Sequence, residues 1–204
     1  EGGYAGERYP DLVGNVRADG EWGSVQLMGA LHGVRAANVS TSALGYAIGG
    51  GASFNVPTGR GTTAGVSATF TEGALQYASS SMAGGRRIGG VFYGPADGII
   101  DASGDLRLST AVSATAGFAT GLTDTTSLSF EAGYVTVDQP LTDLSGDGVA
   151  DDLDFQSFAV DGSLGYSPVA GLLFAVGAQY MHVDMAEGTD FGGFSTFFRA
   201  QRLF

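Results

Sequence analysis

Apolar residues alternate with small or polar residues in segments of about ten residues, a spacing typical of β-strands. The clearest segment spans residues 127–137. Because successive side chains of a strand point to opposite faces, this segment predicts one apolar and one polar face. The apolar face carries Leu128, Phe130, Ala132 and Tyr134, and the polar face carries Ser127, Ser129, Glu131 and Gly133.

The same alternation recurs along the chain and predicts an all-β fold of about nine strands. If the segment near Asp11 were not a strand, the count would be about eight. The predicted strands lie near residues 11–18, 24–32, 46–55, 63–70, 106–118, 127–137, 157–166, 173–181 and 198–204.

The connections between these segments alternate between short and long. Short turns at one end and long loops at the other are the layout of outer-membrane barrels. The pattern therefore predicts a transmembrane, antiparallel, up-and-down β-barrel, with a soluble β-sandwich as the less favoured alternative. The short connections are residues 18–21, 57–61, 121–124 and 167–171, and the long ones are 34–42, 71–104, 138–154 and 184–193.

Composition narrows the choice without deciding it. Charged residues make up 15% of the chain, below the roughly 25% of an ordinary soluble domain. Hydrophobic residues make up 44%, but no apolar run reaches the roughly 20 residues that a membrane helix needs. The absence of cysteine suits a bacterial envelope protein, where free thiols would be exposed to oxidation.

The charge of the chain argues against nucleic acid as a partner. The formal net charge is −12, and all nine basic residues are arginines. They are dispersed, with Arg86 and Arg87 as the only adjacent pair. Phosphate contacts need clustered basic residues, which this chain lacks.

No motif of an enzyme is present. The chain contains neither a Gly-x-Ser-x-Gly elbow nor a His-Glu-x-x-His motif. His32 and His182 fall in different predicted strands, without a Cys or carboxylate at metal-ligand spacing. We therefore expect no catalysis, and histidines that belong to the barrel wall or rim.

Five charged residues fall on the polar faces and are candidates for the wall of a pore. Charges of both signs on a wall would create a transverse field and bias ion selectivity. On this assignment, Arg107→Glu would shift selectivity toward cations. The candidates are Arg17, Arg107, Glu131, Asp161 and Arg199.

Residues 143–154 resemble a calcium-binding loop. Oxygen-bearing side chains recur at its first, third, fifth and ninth positions, and Gly148 at the sixth position allows the sharp turn. The twelfth position holds Asp rather than the usual bidentate Glu, and the flanks are predicted strands rather than helices. Calcium is the one possible cofactor; a polar surface loop is the alternative. The candidate ligands are Asp143, Ser145, Asp147, Asp151 and Asp154.

Two further features leave alternatives open. Residues 71–104 could fold over the barrel mouth, pair with a neighbouring subunit or form a mobile surface loop. Aromatic residues near the strand ends fit the interfacial girdles of barrels, or else a buried sandwich core. These aromatics are Phe54, Phe118, Tyr134, Tyr166, Phe174, Tyr180 and Phe204.

Two stretches resemble the general porin family of alphaproteobacteria. The first runs Tyr-Pro-Asp-Leu-Val-Gly-Asn-Val-Arg over residues 9–17 and continues through residues 21–27 to Ala30-Leu31-His32. The second is the ending over residues 197–204, Phe-Phe-Arg-Ala-Gln-Arg-Leu-Phe. The terminal Phe204 resembles the signal that the outer-membrane assembly machinery reads.

The resemblance implies a sixteen-stranded barrel in the bacterial outer membrane, usually a homotrimer, that passes small hydrophilic solutes by diffusion. It also implies an inward-folded loop that narrows the pore, usually contributed by the N-terminal half. An odd number of antiparallel strands cannot close neatly. We therefore expect residues 1–204 to form one β-barrel domain that lacks the N-terminal strands of the whole barrel. The alternative is a small, non-conducting structural or adhesive barrel of about eight strands.

Overall fold

The computed structural model describes residues 9–36, 42–78, 84–88, 90–101 and 103–203. These residues form β-strands and one short 3₁₀ turn, Leu75–Tyr77. Within these ranges, no helix is both long and apolar enough to cross a membrane. The strands are β1 (Leu12–Gly20), β2 (Gly23–Arg35), β3 (Ser42–Val56), β4 (Thr62–Glu72), β5 (Arg86–Ile88), β6 (Val91–Tyr93), β7 (Gly98–Ile100), β8 (Leu106–Leu108), β9 (Thr110–Gly121), β10 (Thr126–Asp138), β11 (Phe155–Val169), β12 (Leu172–Met185) and β13 (Phe191–Arg202).

Nine of these strands form one antiparallel sheet in the order β1-β2-β3-β4-β9-β10-β11-β12-β13. The remaining four form two separate ribbons, β5-β6 and β7-β8. The predicted all-β, antiparallel architecture is therefore confirmed. The strand near Asp11 is present as β1, so the count of nine is right and the alternative count of eight is wrong.

The alternation of short and long connections is confirmed for all but the last connection. The four predicted short turns, which join β1 to β2, β3 to β4, β9 to β10 and β11 to β12, are two to five residues long. Because neighbouring strands are antiparallel, all four turns lie at the same end of the sheet. The other four connections, between β2 and β3, β4 and β9, β10 and β11, and β12 and β13, lie at the other end, which we call the loop end. The connection between β12 and β13 was predicted to be long, but it has only five residues, 186–190, because both strands extend further than expected.

The cross-strand register keeps polar and apolar residues on separate faces. Ser53, Gly65, Gly117, Glu131 and Asp161 align across five neighbouring strands and share the polar face. The opposite face exposes large apolar side chains on every strand, which is the pattern of a lipid-facing surface. Examples are Val16, Leu27, Ile48, Val66, Val112, Phe130, Leu164, Val176 and Phe198.

One predicted strand is interrupted. Residues 106–118 were expected to form a single strand, but β8 ends at Leu108 and pairs with β7, and β9 begins at Thr110. Buried Ser109 lies between them, and its N–H donates to the carbonyl oxygen of Asp97 at 3.1 Å. The chain leaves the sheet at this residue, so the prediction of one continuous strand is wrong.

The long connection between β4 and β9 folds onto the polar face at the loop end. We call residues 73–109 the covering segment. Its residue Leu75 packs into a buried apolar cluster with Val137, Phe155 and Val183 of the sheet. The Phe155 ring also lies where a Cβ on Gly84 would be, so only glycine fits there. The described residues of this connection thus lie against the sheet, and the alternatives of covering a barrel mouth and of pairing with a neighbouring subunit both stay predictions.

Apolar contact with Phe155 should hold the covering segment in place. Phe155→Ala removes a ring that is only 2% exposed, and such changes cost about 3–5 kcal/mol. We expect trypsin to cleave the refolded protein after Arg86 or Arg87 at least about tenfold faster, since 1.4 kcal/mol is a factor of ten. The rate is measured by mass spectrometry of the fragments.

The matched control is Phe158→Ala. Phe158 lies on the same strand but on the apolar face, where it is 40% exposed. Its removal should leave cleavage at Arg86 and Arg87 unchanged. Equal acceleration in both variants would mean that Phe155 does not hold the covering segment.

Candidate pore wall and its charges

The polar face of the sheet is concave. A single cavity of about 370 Å³ is lined by residues of β3, β4, β9, β10 and β11. Five consecutive strands can line one cavity only if the sheet curves toward it. Its lining includes Ser53, Thr63, Thr115, Ser129, Glu131 and Asp161.

Hydroxyl groups make much of this concave wall polar. The side-chain oxygens of Ser67 and Thr115 lie 2.7 Å apart across the β4–β9 pair. Those of Ser129 and Ser163 lie 2.8 Å apart across the β10–β11 pair. Each hydroxyl carries one donor and two acceptor sites, so both pairs retain bonding capacity for water. This surface suits contact with an aqueous lumen.

Glu131 and Asp161 concentrate negative charge on the concave wall. They are direct cross-strand partners in β10 and β11, which places their Cβ atoms about 5 Å apart. Among the residues that the structure describes, neither carboxylate has an ion-pair partner. Both line the 370 Å³ cavity, so their charges act on whatever occupies it.

Arg17 and Arg199 also lie on the polar face, with different surroundings. The Arg17 guanidinium pairs with the Asp19 carboxylate at 2.8 Å, so the two charges largely cancel. Arg199 lies on β13, and the register through Ala175 and Gly165 places it on the same face as Ser127. The structure thus puts four of the five predicted wall residues on one face.

Arg107 is the exception. It lies in β8, outside the nine-stranded sheet, and its Nε donates to the Asp101 carboxylate at 3.0 Å. The predicted position on a barrel-wall strand is therefore wrong, because the chain leaves the sheet at Ser109. Arg107→Glu would chiefly break a pair within the covering segment, so it is a poor probe of the wall.

The candidate calcium loop is organised by its own backbone. The Asp143 carboxylate accepts bonds from the N–H groups of Gly146 at 2.6 Å and Gly148 at 2.8 Å. The Asp151 carboxylate accepts from the Leu144 N–H at 2.9 Å and lies 3.4 Å from the guanidinium of Arg86.

The other three candidate ligands of this loop also take part in hydrogen bonds within the protein. Asp154 accepts from the Gln139 N–H at 2.5 Å, and Asp147 accepts from the Val149 N–H at 2.9 Å. The Ser145 hydroxyl donates to Asp143 at 3.3 Å. No group of three or more metal-ligating side chains occurs within the described part of the chain. Calcium binding by this loop stays a prediction.

The aromatic residues lie toward both ends of the apolar face. Near the turns, the rings of Trp22 and Phe54 are 6.2 Å apart; near the loop end, those of Tyr46 and Phe70 are 6.0 Å apart. Tyr46 and Phe54 are eight residues apart on β3, or about 27 Å at 3.4 Å per residue. This spacing matches the apolar band of about 25 Å in outer-membrane barrels. Of the predicted girdle residues, Phe204 falls outside the described residues, and so does the predicted assembly signal at that position.

A concave polar wall opposite an apolar, aromatic-edged face is the pattern of the wall of an outer-membrane β-barrel. The sequence model of the porin subfamily matches residues 3–197, and the chain belongs to this family. Membership of this family places the chain in the outer membrane, and porins are a class without enzymatic function. Among curated proteins, no sequence matches the chain significantly.

A solved structure supports the same fold. The crystal structure of the outer membrane channel DcaP of Acinetobacter baumannii is similar to this chain, with a TM-score of 0.69 at 12% sequence identity. The similarity covers 97% of this chain and 52% of the channel. The chain thus spans about half the length of that protein.

The loop around Asp143 should be pH-sensitive only in strong acid. Hydrogen bonds from the backbone, with that of Gly148 the largest cause, hold the pKa of Asp143 below its ordinary value. A carboxylate with a lowered pKa keeps the loop ordered as long as it is ionised. Its contribution is complete above the ordinary pKa of about 3.9 and is lost as the pH falls below the lower pKa of the folded state. The amide NMR signals of Gly146 and Gly148 should therefore shift only below about pH 3.9.

Asp143→Asn is the control for this titration, because it removes the ionisable group and keeps one acceptor oxygen. The variant should show no transition of these amides over the same pH range. A wild-type midpoint at or above the ordinary carboxyl pKa would contradict the prediction. Adding calcium to the same sample tests the cation, since binding would shift the same two amides.

Proposed function

We propose that this porin forms a water-filled pore through which small hydrophilic solutes and ions diffuse passively. The observation that carries the proposal is the concave face, where five strands present hydroxyl and carboxylate groups to one cavity. Such a wall keeps water in a lumen, while the apolar residues of the other face contact lipid. The mechanism needs no bond chemistry, so we propose no enzymatic activity.

We also propose that the chain supplies the C-terminal strands of a sixteen-stranded barrel. In the described residues, β1 and β13 each pair with only one neighbour. Backbone groups in hydrocarbon must all be paired, and single-chain bacterial barrels have even strand numbers. Nine strands therefore need an odd number of further strands to close. The length of the similar channel, about twice that of this chain, agrees with this proposal.

Two further proposals rest on the resemblance to alphaproteobacterial porins. The barrel assembles as a homotrimer, and Phe204 serves as the signal for the outer-membrane assembly machinery. Native electrophoresis of the extracted protein tests the trimer. Phe204→Ser tests the signal, because it should lower the amount of folded protein in the outer membrane and leave refolding in detergent unchanged.

The wall charges lead us to propose a preference for cations. Arg17 is paired with Asp19, whereas the described residues offer no ion-pair partner to Glu131 or Asp161. A unit charge about 7 Å from an ion in water contributes about 0.6 kcal/mol, which is about RT. Two such charges would enrich cations severalfold at low salt, and salt would screen the effect.

The test is the zero-current potential across a planar bilayer under a salt gradient. Glu131→Gln with Asp161→Asn should lower the cation-to-anion permeability ratio about threefold or more at low salt. Asp124→Asn with Asp147→Asn is the matched control, because it removes the same number of charges from exposed connections. An unchanged potential in the double variant, or an equal shift in the control, would overturn the assignment of the wall charges.

Conductance itself distinguishes the proposed pore from the rival, a non-conducting structural barrel. The refolded chain and the full-length gene product are compared in the same bilayer system. Steady ohmic steps from either establish a pore, and steps from the longer product alone support the proposal that this chain is part of a larger barrel. Silence from both folded proteins would favour the structural barrel.

A further inference from the structure

His32 joins the pore wall to the covering segment. It lies on β2 and faces the polar side, where only 8% of the residue is exposed. Its Nδ1 is 2.7 Å from the carboxylate of Asp11, just before β1, and its Nε2 is 3.6 Å from the carboxylate of Asp97. Asp97 belongs to the covering segment, so the imidazole lies between a carboxylate of the wall and one of the segment.

The same two carboxylates position the start of the covering segment. Asp97 accepts a hydrogen bond of 2.6 Å from the Leu75 N–H, at the beginning of the 3₁₀ turn. The Tyr77 hydroxyl donates to Asp11 at 2.6 Å. A cavity of about 200 Å³ lies at this junction, lined by Asp11, His32, Ala74, Gln76, Tyr77 and Asp97.

We propose that His32 is a pH-dependent latch that fastens the covering segment to the pore wall and loosens it when the imidazole loses its charge. The charged imidazole has an N–H on each ring nitrogen. That of Nδ1 donates to Asp11, and Nε2 forms an ion pair with Asp97 at 3.6 Å, beyond hydrogen-bond distance. The neutral ring keeps one N–H and no charge, so the ion pair with Asp97 is lost and whichever nitrogen is deprotonated presents a lone pair to a carboxylate.

The titratable surroundings of His32 are few. Among the described residues, Asp11 and Asp97 are the charged groups that contact it, and the Tyr77 hydroxyl reaches it through Asp11. Both charged neighbours are acidic. Histidine is the side chain whose charge ordinarily changes between about pH 5 and pH 8, so the test compares the two ends of this range.

At acidic pH the latch depends on the ionisation of Asp11. Burial raises the pKa of Asp11, but hydrogen bonds from Tyr77 and His32, with the charge of His32, outweigh it and hold the pKa below its ordinary value. The stability from a carboxylate with a lowered pKa is complete above about pH 3.9 and is lost below the folded pKa. The latch therefore closes between the titration of the carboxylate and that of the imidazole.

Hydrogen–deuterium exchange of the refolded protein in detergent tests the latch without requiring conductance. Protection is compared at pH 5 and pH 8, after correction for the intrinsic pH dependence of exchange, in peptides covering residues 73–78 and 90–101. We expect protection in these peptides to fall about tenfold at the higher pH, and protection within β10 to stay constant. A tenfold change corresponds to about 1.4 kcal/mol.

Two variants and one control make the test specific. His32→Gln should show low protection of the covering segment at both pH values, and Asp97→Asn should reduce the pH dependence while its amide oxygen can still accept from Leu75. His182→Gln is the control, because this second histidine lies on the opposite face and bonds to Asp184 at 3.0 Å. It should behave as the wild type.

The proposal is overturned if protection of the covering segment in the wild type does not change with pH. It is also overturned if His32→Gln, or Asp97→Asn should the first variant not fold, keeps the full wild-type dependence. The outcome is independent of the proposed pore, since a protein that never conducts can still show or lack the latch. Where conductance is present, closures should become more frequent or the conductance should change above pH 7, and His32→Gln should remove that change.

Discussion

Backbone N–H and C=O groups find no water inside the hydrocarbon layer of a membrane, so each must bond within the sheet. This constraint accounts for the long strands of 9 to 15 residues in the nine-stranded sheet and for their strictly sequential antiparallel order. It also accounts for the position of the irregular parts of the chain, which gather at the strand ends where water can satisfy them. Since the hydrogen bonds of the backbone are made with neighbouring strands, the side chains are free to match two environments, lipid and water. Period-two alternation then gives lipid one face and the lumen the other.

The loop end of the polar face serves a third purpose. There, positions that share the polar face with Glu131 carry Val135 and Val137, and neighbouring strands contribute Phe155 and Val183 to the same buried cluster. A water-lined wall would not favour these residues, whereas a surface that binds the covering segment does. The apolar cluster provides contact area, and polar contacts fix the position of the segment. Near β1 these contacts involve Tyr77 and His32. Near β11 and β13, Arg86 pairs with Asp151 and Glu187. The described residues of the segment are thus tied to the sheet at both of its sides.

Much of this arrangement could be predicted from the sequence, because it depends on local periodicity. The strands, the two faces and the alternation of turns and loops all follow from residues two positions apart.

Two features could not be predicted, for a related reason. Leu106, Leu108 and Val112 all fall at even-numbered positions. The alternation therefore continues across Ser109, although the chain leaves the sheet there. The docking of the covering segment depends on contacts such as Leu75 with Phe155, which are 80 residues apart. The sequence does carry a signal for these contacts. Val135 and Met181 are apolar residues at positions where the alternation calls for a polar one, and the structure shows that they belong to, or pack against, the buried cluster.

A sheet built in this way separates the stability of the wall from the position of the covering segment. The wall is held by backbone ladders that run through every strand, and no single side chain controls them. The covering segment is held by two apolar clusters and a few charged contacts, so a change at one of them can move the segment while the sheet stays intact. Regions that respond to conditions are generally those with the lower local stability. In this protein the covering segment has that character, and the contacts of its Asp97 with His32 and of its Arg86 with Asp151 are ionic, so salt screens them. Variation in permeation between conditions should therefore arise at the loop end, and ion preference from the middle of the wall, where Glu131 and Asp161 lie in fixed register.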